Sequence, residues 1–594
     1  MARTHRLLAL AALGVLGFAG PARAQGEAEE NRAHEALHRL FHDDWEFTLR
    51  ESPLFATDVG DARYNDRLPS ETVGDYERRL EARRGFLRRL RAIDRTALDA
   101  ADRVNYDIFG RLNSDGIAEM EFRTFLMPIT NRSGFHISFP QLGDRVPLGS
   151  VADYENYIAR LRAFRRWAGE YIGLMREGIR EGLVLPRVVL EGWEGSVDPH
   201  IVEDPTESLL YAPFRRFPEA VAAGDRERLA AEGAAAIRES VVPGYRDFRD
   251  FMASEYVPAA RETVGASDLP NGRAFYEHRV RRFTTLDVTP GAVHERGLRE
   301  VARIRGEMDA IIRKVGFEGD FKAFVESLRT DPRFYVDTPR ELLERTAYVL
   351  KRMDGQLPTL FKTLPRMPYG IKPIPDFIAP KTTTAYYDGP SGDGTRAGFY
   401  YVNTYDLPSR PTYEIEALSL HEAVPGHHLQ IALQQELEGM PDFRRFSGFT
   451  AFVEGWALYA ERLGLEAGFY EDPYSDFGRL TYEMWRALRL VVDTGMHALG
   501  WSRQRAIDYM AENSALSLHN ITTEVDRYIS WPGQALAYKT GELKIRELRA
   551  LAESELGDRF DVREFHDVVL GSGAVPLDVL EDNVRAYIAG AADR

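Results

Sequence analysis

The 594-residue sequence contains no cysteine. That excludes disulfides, thiolate metal ligands and a lipid-bearing N-terminal cysteine. Any transition metal must then be held by histidine and carboxylate. Basic residues are in deficit, with 76 Lys and Arg against 92 Asp and Glu and a net charge of −16. A surface of that sign argues against a nucleic-acid partner. Long apolar runs are scarce as well. The one sustained run, "LLALAALGVLGFAG", follows Arg3 and Arg6 and precedes "PARAQ". It is too short to span a bilayer comfortably and reads as a secretory leader over 1–24, cleaved after Ala24. The expectation is a periplasmic or secreted protein with no membrane span.

What the sequence has in quantity is helical periodicity. "SVADYENYIARLRAFRRWAGEYIGLMREGIREGL" places Tyr154, Tyr157, Ile158, Leu161, Phe164, Trp167, Tyr171 and Leu174 at spacings of three and four, the stripe of a core-facing helix. A second such segment begins at Pro290 and stops at Gly316, a helix-start and helix-stop pair. No fixed-period repeat supports a solenoid. Near residue 365 the character changes. "TTTAYY" and "GFYYVNTY" are aromatic and β-branched and flank the turn-rich "DGPSGDGTRAG", which reads as two strands around a loop. That loop lacks the G-K-[ST] of a phosphate cradle. The expected fold is mainly α: many helices around a deep cleft, with a small β region just before a histidine-rich helix. Residues 25–364 would form one wall, 365–412 the loop and strands, and 413–594 the catalytic region.

Only 14 histidines are present, and three of them fall in "HEAVPGHH" at 421–428. Hydrolytic zinc sites need three protein ligands and an open position for water. In H-E-x-x-H, histidines at i and i+4 converge on the metal and the glutamate serves as general base. Here His421 and Glu422 are in place, but Pro425 stands where the second histidine belongs. Pro425–Gly426 predicts a kink or bulge. On a straight helix His428 would lie in phase but about 10 Å further along, and His427 about 240° around. Either could be re-aimed onto the metal, with His427 slightly favoured. Glu454 in "AFVEGWAL" is an acid in an apolar setting, costly to bury unless paired or metal-bound. It is the candidate third ligand, and Glu461, on the same face, is a candidate partner for a ligand histidine.

Further on, Arg486, Arg489, Asp493 and His497 recur at spacings of three and four in an apolar background. They form one polar helix face, either a structural network or a cleft wall. Tyr528, Gln534, Tyr538 and Lys539 in "YISWPGQALAYK" are candidates for reaching a substrate carbonyl, a tyrosine hydroxyl being a suitable oxyanion donor. Tyr401 and Asn403 of "GFYYVNTY" complete the substrate-contact candidates.

"HEAVPGHHLQ", "FVEGWALYAERLG", "RLVVDTGMHALGW", "YISWPGQALAYKTGELKIRELR" and "GFYYVNTYDLPSRPTYEIEALSLHE" together resemble the bacterial uncharacterised-domain family 885. The resemblance is dense from about 385 to 550 and looser before. That family is distantly similar to the gluzincin oligopeptidases and Taq-type carboxypeptidases, helical enzymes with a deep channel. The resemblance implies one zinc ion held by His421, a late histidine and Glu454, with Glu422 as base and Tyr528 or Tyr538 as catalytic tyrosine. The leading expectation is a zinc peptidase acting on short peptides. The alternatives are another amide or ester metallohydrolase, and a periplasmic binding protein whose metal site has decayed.

Overall fold

The computed structural model describes residues 21–592 except 377, 378, 380, 381, 391–393 and 395; residues 1–20 of the expected leader lie outside these. The helices that bear on the site are α1 (Pro21–Glu51), α2 (Val73–Arg91), α3 (Ala100–Glu121), α4 (Val151–Glu181), α5 (Gly272–Thr284), α6 (Pro290–Lys314) and α7 (Pro339–Leu360). Strands β1 (Tyr369–Pro373), β2 (Ala385–Asp388) and β3 (Gly398–Val402) follow. Then come α8 (Ile415–Glu422), α9 (His427–Glu436), α10 (Thr450–Leu463), α11 (Pro473–Ala498), α12 (Leu518–Ser530) and α13 (Ala537–Leu556). The fold is mainly α, as the periodicity implies. Among the described residues no helix is long and apolar enough to cross a membrane.

Local sequence sets the helix ends. Ser150 and Asp153 form a capping box at the start of α4, and Gly182 ends it with a left-handed backbone. The Thr289 hydroxyl accepts from the Ala292 amide at the start of α6, where Pro290 occupies the first turn. The chain leaves α6 through Gly316 at φ 70°. On α4 the expected stripe is buried from Tyr154 through Leu174, with Tyr171 half-buried beside it.

Two large apolar cores each draw on both ends of the chain. One packs Phe164, Tyr245 and Met308 with Met484, Leu488 and Val525. The other packs Leu40 and Phe109 with Leu420, Trp456 and Val584. The N-terminal helices are therefore part of the frame that fixes the C-terminal ones. The sheet order is β1-β3-β2, with β2 antiparallel and β1 parallel to β3. The two expected strands are present and paired. Strand β1 was hidden by the prolines on either side of "YGIK".

Candidate metal centre

The helix that begins at Ile415 stops at Glu422, and a new one starts at His427. Pro425 has no amide to continue the ladder. Gly426 is required by space: a Cβ there would lie 1.9 Å from the His421 carbonyl oxygen and 2.5 Å from that of Leu420. The break is tied down from outside, because the Trp456 indole on α10 donates to the Pro425 carbonyl at 2.9 Å. This turn seats the first residue of α9 against the last turn of α8, with the His421 and His427 rings 4.7 Å apart and nearly perpendicular.

Glu454 on α10 completes the group. Its Oε2 lies 3.6 Å from Nε2 of both His421 and His427, and the three ligand atoms all lie within 4.8 Å of one another. His421 Nδ1 meets Glu461 Oε1 at 2.8 Å. With Nδ1–H donated to that carboxylate, Nε2 is the nitrogen left for a metal. Arg486 holds Glu461 from the other side at 3.5 Å. His427 Nδ1 is buried without a partner. The Glu454 side chain is 21% exposed, so the group is reached from its side.

The electrostatics follow from this packing. Burial works against a charged His421, but the Glu454 and Glu461 carboxylates outweigh it and hold the imidazole up at about 9. Burial pushes His427 down to about 4. Burial would raise Glu454, yet the histidines and Arg489 hold it at about 2. Glu422 is the exception: burial pushes it up to about 7, with His421 lowering and Glu454 raising it. It makes no hydrogen bond or ion pair among the described residues. An acid balanced near neutrality beside two histidines and a carboxylate is equipped to take and return a proton.

Tyr538 is the tyrosine beside this group. Alpha helices α10 and α13 meet backbone to backbone, since a Cβ on Gly455 would lie 2.5 Å from Gly541 Cα and one on Gly541 1.8 Å from the Ala451 carbonyl. This contact carries Tyr538, at the start of α13, close enough to Glu454 for the carboxylate to raise its hydroxyl pKa on top of burial. The Arg489 guanidinium stacks 4.3 Å from the Tyr538 ring centre.

Several sequence candidates sit elsewhere. His428 is not in the group: Nε2–H donates to the Met367 carbonyl at 3.0 Å and Nδ1 accepts from the Tyr387 hydroxyl at 2.8 Å. Tyr528 is sealed in the core, its hydroxyl accepting from Arg489 Nε at 2.9 Å and Trp485 at 3.2 Å. Asn403 is a buried clamp, donating to the carbonyls of Ala379, Thr382 and Thr383 and accepting from the Tyr405 amide. Tyr401 stacks on Tyr386 on one face of β3, while its neighbour Tyr400, on the other face, is buried beside Glu422. Tyr400 is the residue sequence reasoning missed, and the two-residue alternation of a strand is the signal that separates the pair.

The polar face of α11 divides. Arg486 and Arg489 reach toward the site, whereas Asp493 accepts from the Tyr276 hydroxyl at 2.5 Å and the Gly533 amide at 3.2 Å. His497 accepts from the Ala266 amide at 2.9 Å and donates to the Tyr528 carbonyl at 3.0 Å. These two are structural. Gln534 accepts from Arg527 at 2.8 Å. Lys539 is fully buried against Glu483 at 2.7 Å and Glu542 at 2.8 Å.

Fold and site define a mainly helical protein with a group of two histidines and one carboxylate at a helix break. The chain belongs to the family of bacterial proteins of unknown function DUF885, which matches residues 53–584. A crystal structure described as that of "the putative lipoprotein from Colwellia psychrerythraea" is similar at TM-score 0.89 and 28% identity, covering 94% of this chain and 99% of that one. A second, "a putative lipoprotein of unknown function from Shewanella oneidensis", shares the fold at TM-score 0.71 and 16% identity, over 92% and 98%. No curated protein matches the chain.

Proposed function

We propose that the protein is an exported zinc-dependent hydrolase that cleaves short peptides. The observation that carries this reading is the convergence of His421, His427 and Glu454 around one point, with Glu422 buried and unpaired beside them. A binding role would not need a carboxyl left without a partner, because an unpaired buried acid costs stability.

The donors fit zinc: two imidazole nitrogens and a carboxylate oxygen, with one imidazole oriented by Glu461. When bound, zinc would polarise a carbonyl and ease the ionisation of water. The chain's own residues do the rest. Glu422 takes the proton from the attacking water and returns it to the leaving amine, which its near-neutral pKa permits. The Tyr538 hydroxyl donates to the oxygen on which negative charge develops. Arg486 fixes Glu461, and through it the His421 ring.

The test is zinc content and peptide cleavage in the full chain. Wild type should carry about one zinc per chain by the ligand count and cleave a mixed short-peptide library; Glu454→Ala should lose the metal, and Glu422→Gln should keep it but not cleave. A zinc-free wild type at neutral pH, or full cleavage by Glu422→Gln, would overturn the reading.

A further inference from the structure

A cavity of about 370 Å³ opens at the start of α10. Its lining includes Asp44 of α1, Arg83 of α2, Asn113 and Asp115 of α3, Arg282 of α5 and Thr450 of α10. It is lined further by aromatic rings, among them Phe283 and Phe449. In the first two turns of α10 the half-buried side chains are Thr450, Val453 and Glu454, which share one helix face. The cavity and the candidate metal group therefore lie on the same stripe. Four residues of helix rise separate Thr450 from Glu454, about 6 Å.

The polar groups of this cavity are unsatisfied in a particular way. Asp44 and Asp115 make no hydrogen bond or ion pair among the described residues. Burial pushes the Asp44 carboxyl up to about 6, with Arg83 pulling it down from a distance. Asn113 is 2% exposed; its Nδ2 donates to the Phe109 carbonyl at 3.1 Å, and its Oδ1 has no partner. Arg282 contacts Glu119 at 2.5 Å, a carboxylate it shares with Arg279 at 2.9 Å and His278 at 3.2 Å. Arg83 is the only donor-bearing cation here without a contact partner among the described residues. Two carboxylates thus face two guanidiniums, so the formal charges of the lining balance, but the Asp44 and Asp115 carboxylates and the Asn113 amide oxygen have no donor in contact. Unsatisfied buried acceptors are costly, and a ligand that brings several N–H donors on one group relieves that cost.

We propose that this cavity receives the free amino terminus of the peptide substrate, the ammonium being held by Asp44, Asp115 and Asn113 Oδ1. The inference rests on the peptidase reading for what happens next, but not for the binding itself. An extended peptide advances about 3.3 Å per residue, so a terminus seated here presents a bond about two residues in to the group at Glu454. The protein would act from the amino end, and the aromatic lining would favour an apolar first side chain.

The probes are tetra-alanine and N-acetyl-tetra-alanine, titrated by calorimetry into the full chain carrying Glu422→Gln, so that neither is consumed. Tetra-alanine should bind on the order of tenfold or more tightly than its acetylated form, in line with loss of a charge-assisted contact. Asp44→Asn or Asp115→Asn, added separately, should reduce that preference to near parity, each serving if the other fails to fold. Equal binding of both peptides, binding of neither, or a preference untouched by both substitutions would overturn the proposal. Cleavage by wild type separates the two readings. A binding preference with no cleavage keeps the cavity and sinks the hydrolase; equal cleavage of both peptides with no preference does the reverse.

Discussion

His421 and Glu461 are joined at 2.8 Å through Nδ1, and that one contact decides which nitrogen of His421 faces Glu454 and His427. Glu461 lies two turns beyond Glu454 on α10, so one helix supplies both the carboxylate of the candidate metal group and the carboxylate that aims the opposing histidine. Removing such a partner typically lowers metal affinity by about 10–100-fold. Glu461→Ala should therefore weaken zinc binding by that factor, measured by competition against a chelator, while Glu461→Gln, which can still accept from Nδ1–H, should lose less. Unchanged affinity in the alanine variant would show that Glu461 does not orient His421.

The two adjacent histidines should behave differently. His427→Ala removes a proposed ligand and should abolish stoichiometric zinc binding. His428→Ala removes the bridge between Met367 and Tyr387 and should cost stability, on the order of 1–3 kcal/mol for two buried hydrogen bonds, while zinc stays. Metal analysis and denaturant unfolding of the two variants check this, and zinc loss confined to His428→Ala would reverse the assignment.

Gly426→Ala should be among the most damaging single changes in the chain. Its Cβ would overlap backbone carbonyl oxygens, which cannot swing aside as a side chain can. A loss of more than about 3 kcal/mol is expected, together with loss of zinc, because the same turn seats His427. A variant with near wild-type melting and zinc content would mean that the turn relaxes freely.

These contrasts show what the sequence could and could not disclose. The members of the His421–His427–Glu454 group were legible because H-E, a late histidine and an acid in an apolar helix are chemically unusual. The choice between His427 and His428 was legible only as a slight preference for His427, because it depends on where α9 restarts, which Gly426 and the Trp456 indole fix across 31 residues of chain. The helical stripes of α4 and α6 were readable from spacing. Strand β1 was not, since its pairing with β3 is non-local and its flanking prolines argue for a loop. Tyr401 was preferred to Tyr400 because alternation gives two faces without saying which one meets α8. Asn403 reads as a substrate contact, and Asp493 and His497 as either a structural network or a cleft wall, for a simple reason: a polar group in an apolar stretch needs a partner, and backbone amides and carbonyls satisfy it as well as a substrate does.

Two histidines remote from the site should set an acid limit on stability. His497 and His566 are each held in the neutral form, at about 3, by burial. Each uses both ring nitrogens: His566 donates to the Leu360 carbonyl at 2.7 Å and accepts from the Tyr459 hydroxyl at 2.9 Å. The folded pKa lies below the unfolded value near 6.5, so between about pH 3 and 6.5 the unfolded chain binds the extra proton and stability falls as pH falls. Each should cost about 2 kcal/mol at pH 5 relative to pH 7.5. Asp493, pushed up to about 7 by burial, acts with the opposite sign, so the total slope is not diagnostic. The comparison is His566→Gln with wild type: the variant should be less stable at pH 7.5, and its stability should fall less steeply from pH 6 to 4, by up to about 1.4 kcal/mol per pH unit for one proton. Parallel slopes would show that His566 titrates normally in the folded protein.

The two tyrosines offer the sharpest separation of chemistry from structure. Tyr528 receives hydrogen bonds from Arg489 and Trp485 in a sealed core, and both donors would be left unpaired in Tyr528→Phe. Tyr538 stands beside Glu454 on a helix held in place by the Gly455–Gly541 contact, with its hydroxyl also near Gln534, and in the proposed reaction that hydroxyl donates to the developing oxyanion. Tyr538→Phe should therefore melt like wild type and keep zinc, yet lose about 10²-fold in kcat with little change in KM, the signature of an interaction made only in the transition state. Tyr528→Phe should show the converse, a lowered melting midpoint with a smaller loss in kcat. If the kinetic loss followed Tyr528 instead, the oxyanion donor would have to come from a rearrangement that exposes Tyr528 and breaks its contact with Arg489, and the geometry of the free protein would not be the geometry of catalysis.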